Sequence, residues 1–252
     1  MFYKRLFIHL NLVFHLIFLY MWVSEPKQLF WPALVFVINF LVRLFVFFTE
    51  KKSQKINTIL SPDIWLILSE ILVLLFIEFD YMKYVIIFST ALIVFLYQRN
   101  LFFSFAAPFK FKSNLFSFLK DFNIYVASLY WLIAIFAFKI FMNLDFWLSF
   151  LIVLTISYLA IFFLLKNSNQ KITENKILIF IYCLTSLELF IIVSWLPFNF
   201  YIKALSMVSY YHIFSGLAKL FLKKKIDPKA VWRYVVIFVI IWLGVLVTAR
   251  WY

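Results

Sequence analysis

Nine long apolar runs divide this chain, most of them as long as an α-helix must be to cross about 30 Å of hydrocarbon, with the charged residues gathered between them. They lie at about residues 6–23, 30–48, 63–79, 82–97, 122–142, 145–165, 176–196, 200–222 and 231–248. Hydrophobic residues make up 66% of the 252 positions and charged residues 14%, whereas a soluble domain is roughly half apolar. Water is therefore a poor solvent for most of the surface such a chain would present. A transmembrane β-barrel would carry roughly ten-residue stretches of alternating polarity, a pattern the sequence lacks. The expected fold class is all-α: a polytopic transmembrane helical bundle of about nine spans, forming a single membrane domain over residues 1–252.

Positive side chains are retained on the cytoplasmic side during insertion, so Lys and Arg assign orientation. With nine spans, 18 of the 24 basic residues fall on the side of the amino terminus, five fall on the other side, and Arg43 lies within the second span. The expectation is an amino terminus inside, a carboxyl terminus outside, and residence in a cell membrane, the bacterial inner membrane. On this reading the net charge of +13 is a product of topology. The implied partners are the lipid bilayer and the anionic headgroups at its cytoplasmic face, which the Lys223–Lys225 cluster would attract; a nucleic-acid partner is not needed. The first run follows Met1-Phe-Tyr-Lys-Arg as in a signal peptide, but no small-x-small cleavage site precedes Pro26, so an uncleaved span is expected. The single cysteine, Cys183, excludes an internal disulfide.

Local signals mark several ends. Ser61-Pro62-Asp63 and Asp227-Pro228 each offer a capping oxygen followed by a proline at the first helical position. Between spans four and five, Leu115, Phe116, Phe118, Leu119 and Phe122 recur at helical spacing. That segment is expected to form either an interfacial helix at 113–121 or an extension of the fifth span. Trp22, Trp31, Trp195, Trp232 and Trp251 fall near span ends, as an aromatic belt would.

An ionisable side chain within a span costs a few kcal/mol or more, so each is a candidate site until a structural partner is found. Arg43 and Glu70 are expected to meet as a buried pair, with Asn39 one turn from Arg43 on the same face. Glu188 and His212 belong to one hairpin, and His212 stands in a stripe with Ser209, Ser215, Gly216 and Lys219. Two readings apply to that stripe: close helix packing through small residues, or a Glu-His acid-base pair. In the first span Asn11 and His15 share a face, and His9 points elsewhere.

No catalytic, cofactor or metal motif is evident: no Gly-x-Ser nucleophile, no His-Glu-x-x-His, no P-loop. The last two hairpins, from Ser186-Leu-Glu188 through Trp195-Leu-Pro-Phe-Asn199 to Thr248-Ala-Arg-Trp251, resemble uncharacterised multi-pass membrane proteins of small-genome bacteria. The resemblance implies a polytopic fold and no activity. Two functions follow as expectations: a non-enzymatic scaffold, complex subunit or transport component, or alternatively a lipid-substrate membrane enzyme using Glu188, His212 or Glu70 in acid-base roles.

Overall fold

The computed structural model describes residues 2–25, 28, 30–48, 62–106, 114–167, 175–222 and 228–248. Among the described residues it is all-helical, with nine helices and no strand: α1 (Phe2–Ser24), α2 (Phe30–Phe48), α3 (Pro62–Leu74), α4 (Asp80–Ala106), α5 (Asn114–Phe141), α6 (Phe146–Asn167), α7 (Lys176–Trp195), α8 (Phe200–Leu222) and α9 (Pro228–Thr248). Four stretches among them are long and apolar enough to cross a membrane: Asp80–Asn100, Asp121–Phe141, Phe146–Lys166 and Lys176–Trp195. Exposed apolar side chains are abundant, including Val13 and Ile17 on α1, Val85 and Phe88 on α4, and Ile177 and Phe180 on α7. So much outward apolar surface is compatible with a membrane setting and unusual for a soluble monomer.

Helix ends follow local chemistry. Pro62 and Pro228 stand first in α3 and α9, where a missing N–H goes unpunished. α5 stops where Asn143 adopts a left-handed conformation at φ 50°, and the Leu144 N–H reaches back to the Phe138 carbonyl at 3.4 Å. This is the helix-terminating turn that asparagine tolerates better than branched residues. Asn199 precedes α8, and its side-chain oxygen accepts from the Ile202 N–H at 2.9 Å.

Two observed bounds differ from the apolar runs. α4 continues past the expected end near residue 97 to Ala106, and α5 begins at Asn114, so the amphipathic stretch 113–121 enters α5 as its first turns. α3 closes at Leu74, a turn short of the apolar run, with Phe76 N–H donating to the Val73 carbonyl at 3.0 Å.

The chain forms two compact units, Met1–Ala127 and Ser128–Tyr252. In the first, α1 packs against α2 and α4, and α3 against α2 and α4. Its core rows are polar at their centres, as described below. In the second, α6 packs on α7, α7 on α8, and α8 on α9. There an aromatic group of Tyr182, Tyr211 and Phe214 fills the interior, with the Ser157 and Tyr211 hydroxyls 2.7 Å apart.

Candidate functional site

Asn11 and His15 stand one turn apart in the row Ile8, Asn11, His15, Leu19 and Trp22 that α1 buries. The spacing of three and four residues makes this one helical face. α2 contributes Asn39, one turn beyond buried Val35; α3 contributes Glu70; α4 contributes Gln98, which continues its buried row of Ile87, Ala91 and Val94. All five polar side chains belong to the amino-terminal unit, and their exposure runs from 0% at Glu70 to 5% at Gln98.

The hydrogen bonds can be accounted for atom by atom. Asn39 Nδ2 donates to the Val35 carbonyl oxygen at 2.8 Å. Since a carbonyl only accepts, that bond decides which way round the amide sits. The Asn39 oxygen then accepts from Asn11 Nδ2 at 2.7 Å and from Gln98 Nε2 at 3.3 Å. Asn11 gives its other amide hydrogen to Gln98 Oε1 at 2.9 Å. The second N–H of Asn39 faces His15 Nδ1 across 3.5 Å, a long contact in which the ring nitrogen must be the acceptor. The proton of a neutral His15 ring consequently sits on Nε2, which is 3.0 Å from Glu70 Oε2. Glu70 Oε1 and Asn11 Oδ1 remain buried without a hydrogen-bond partner among the described residues.

Amides from α1 and α4 thus hold the Asn39 amide of α2, Asn39 faces one imidazole, and the imidazole holds one carboxyl. Hydrogen bonds to a charged group are worth about 1.5–3 kcal/mol. Removing one member of a buried pair costs more, roughly 3–5 kcal/mol, because the other is left uncompensated. The arrangement can accept or release a proton at the carboxyl. It presents no nucleophile, and among the described residues no three His, Cys, Asp or Glu side chains gather as metal ligands.

The residues singled out from sequence fall in both compact units. Glu70 is held by His15, while Arg43 lies in α2 with its side chain outside the described residues. Glu188 is exposed on α7. His212 is half-buried on α8, its ring centroid 6.0 Å from that of Tyr234 on α9. Ser209, Ser215 and Gly216 of the same stripe are buried. Of the belt tryptophans, Trp195 and Trp232 are exposed, Trp22 is buried, and Trp251 lies outside the described residues. So does the Lys223–Lys225 cluster.

Sequence reasoning put Asn11 and His15 on one face of the first span and Asn39 on the Arg43 face of the second, but missed Gln98, because the fourth apolar run was ended just before it. The signal was present: Gln98 follows Ile87, Ala91 and Val94 at steps of four, three and four residues. The chain matches no family model, no curated protein and no solved structure. Its functional reading therefore rests on this geometry.

Proposed function

We propose that this chain is a multi-pass integral membrane protein of about nine spans, with its amino terminus in the cytoplasm and its carboxyl terminus outside. It resides in the bacterial cell membrane and works there as an ion-coupled transport component. The observation that carries this reading is the His15–Glu70 pair, buried at 3.0 Å, with His15 facing an Asn39 amide that is itself held by Asn11 and Gln98. Within hydrocarbon an ionisable pair is expensive and characteristically marks an ion or proton pathway. Glu70 lies eight residues into α3, roughly 12 Å of helix at 1.5 Å per residue, well inside the expected span. The lipid-enzyme alternative would draw on the same Glu70, since Glu188 is exposed on α7 and His212 is half-buried on α8.

The test is ion flux in proteoliposomes. A potassium-diffusion potential is imposed on vesicles containing the purified chain, and internal pH and cation content are followed with trapped dyes. Flux above that of protein-free vesicles is expected for the native chain, with a loss of at least tenfold in Glu70→Gln. Native flux equal to that of empty vesicles would remove the transport reading.

A further inference from the structure

We infer that Glu70 is a proton-binding site, with the proton carried on its Oε1 atom while His15 stays neutral, and that the Asn39 amide is the switch that sets this state. The inference deepens the transport reading by naming the ligand of the same site, and rests on that reading for its purpose but not for its chemistry.

The chemistry follows from which atoms can donate. Asn39 Nδ2 is committed to the Val35 carbonyl at 2.8 Å, so its remaining hydrogen points at His15 Nδ1. A proton added to Nδ1 would set two N–H groups against each other across 3.5 Å. Relieving that clash means turning the Asn39 amide over. The turn places Nδ2 against Asn11 Nδ2 and Gln98 Nε2, which now donate to Oδ1 at 2.7 and 3.3 Å, and breaks both bonds along with the one to Val35. Even where Asn11 and Gln98 turn with it and restore the bonds among the three amides, the Asn39 oxygen is left facing the Val35 carbonyl, so the imidazolium form of His15 carries the loss of that bond and a repulsion between two acceptors. With the amide as observed, His15 brings no positive charge, and an ionised Glu70 would be a buried anion held, among the described residues, by one neutral donor. Its second oxygen has no partner among the described residues and is fully buried. A proton from the aqueous phase bonding to that oxygen turns the carboxylate into a carboxylic acid, takes the local charge from −1 to zero, and leaves the His15 Nε2–H bond to Oε2 in place.

Other charged or titratable groups on the helices packed here are His9 on α1, Arg43 on α2, Asp63 on α3, and Tyr97 and Arg99 on α4. His9 is exposed and lies against the Phe95 ring, centroids 5.1 Å apart. Asp63 is buried two turns before Glu70, and Tyr97 is buried beside Gln98, next to exposed Arg99. The hydrogen bond and ion pair recorded at Glu70 come from His15. Two states follow: an amide-locked state with protonated Glu70 and neutral His15, and an amide-turned state in which His15 carries the charge.

The full-length chain in lipid nanodiscs, labelled with 15N-histidine and 13C-carboxyl glutamate, tests this by magnetic resonance. The chain has only three histidines. Comparison with His9→Gln and His212→Gln, both outside the network, assigns His15 without touching the site. At about pH 7, well above the ordinary carboxylate range near 4, the expected spectrum has one His15 nitrogen protonated and one bare, and one glutamate carboxyl in the acid form. That carboxyl signal should vanish in Glu70→Gln. Asn39→Leu should release the lock, so that the Nδ1-protonated form of His15 appears. A His15 ring protonated on both nitrogens at that pH, or six fully ionised glutamates, overturns the proposal, and both readings come from native protein even if a variant fails to fold. An unchanged His15 pattern in folded Asn39→Leu overturns the switch. Flux failing with these spectra intact would count against transport and leave the site standing.

Discussion

Asn39 is the side chain on which the polar contacts of the amino-terminal unit converge, accepting from two amides and donating to a carbonyl and a ring nitrogen. Asn39→Leu keeps the branched shape and removes the acceptor of one Asn11 N–H and one Gln98 N–H in an apolar interior, while the bond between those two amides remains. Each buried group so stranded costs about 1–3 kcal/mol in proteins generally, although single interhelical bonds in membranes average nearer 0.6 kcal/mol. A loss of about 1–3 kcal/mol is predicted, read from unfolding in mixed SDS–detergent micelles. Thr155→Val is the comparison: Thr155 is exposed and bonds only to the Leu151 carbonyl of its own helix, and a change within about 0.5 kcal/mol is expected. Much of this site was legible from residue spacing, because Asn11, His15 and Asn39 sit on helical faces whose other members are apolar, and Glu70 stands out in an apolar run. Its pairing was not legible. Periodicity says which face of a helix a residue occupies and nothing about which helix that face meets, so the contact of Glu70 with His15 of α1 was not anticipated, and the expected partner, Arg43, has its side chain outside the described residues.

At the scale of the elements, the two glycines of the chain make opposite predictions. A Cβ on Gly216 of α8 would run into the ring of Tyr234 on α9, whose hydroxyl lies 2.8 Å from that position. Gly216→Leu should force the α8–α9 contact apart at a cost of about 1–3 kcal/mol. A Cβ on Gly244 meets nothing within 4 Å, so Gly244→Ala should be neutral or stabilising by up to about 1 kcal/mol, the helix-propensity difference. Equal unfolding midpoints for the two variants would remove close approach as the reason for Gly216. A milder loss is predicted for Tyr211→Phe. Ser157 retains its 2.8 Å bond to the Val153 carbonyl, so what is lost is the Tyr211 hydroxyl's bonding to Ser157 and Ser186, at about 0.5–1.5 kcal/mol for each bond. Helix starts at prolines and the stop at Asn143 were readable as chemistry at a point. The reach of α4 to Ala106 was not: beyond Gln98 the residues turn mixed in polarity, and a hydropathy run ends where a hydrogen-bonded helix need not.

For the whole molecule, the proposed orientation makes a labelling prediction. Cysteines introduced one at a time into a Cys183→Ser background at Lys224 and at Asn143 should differ in access: Asn143 from outside intact cells, Lys224 only after permeabilisation. Reversed access would overturn the inside amino terminus, and equal access from outside would overturn the span count. The continuity of α5 has a separate consequence. That helix runs unbroken from Asn114 to Phe141, while the division between the compact units falls at Ala127 and Ser128. Splitting the gene at that division would sever a rod in mid-course, leaving up to four orphan carbonyls on one fragment and four orphan amide hydrogens on the other. Co-expressed halves would fare better divided between residues 107 and 113, with the rod handed whole to the second fragment and the first left to manage without it.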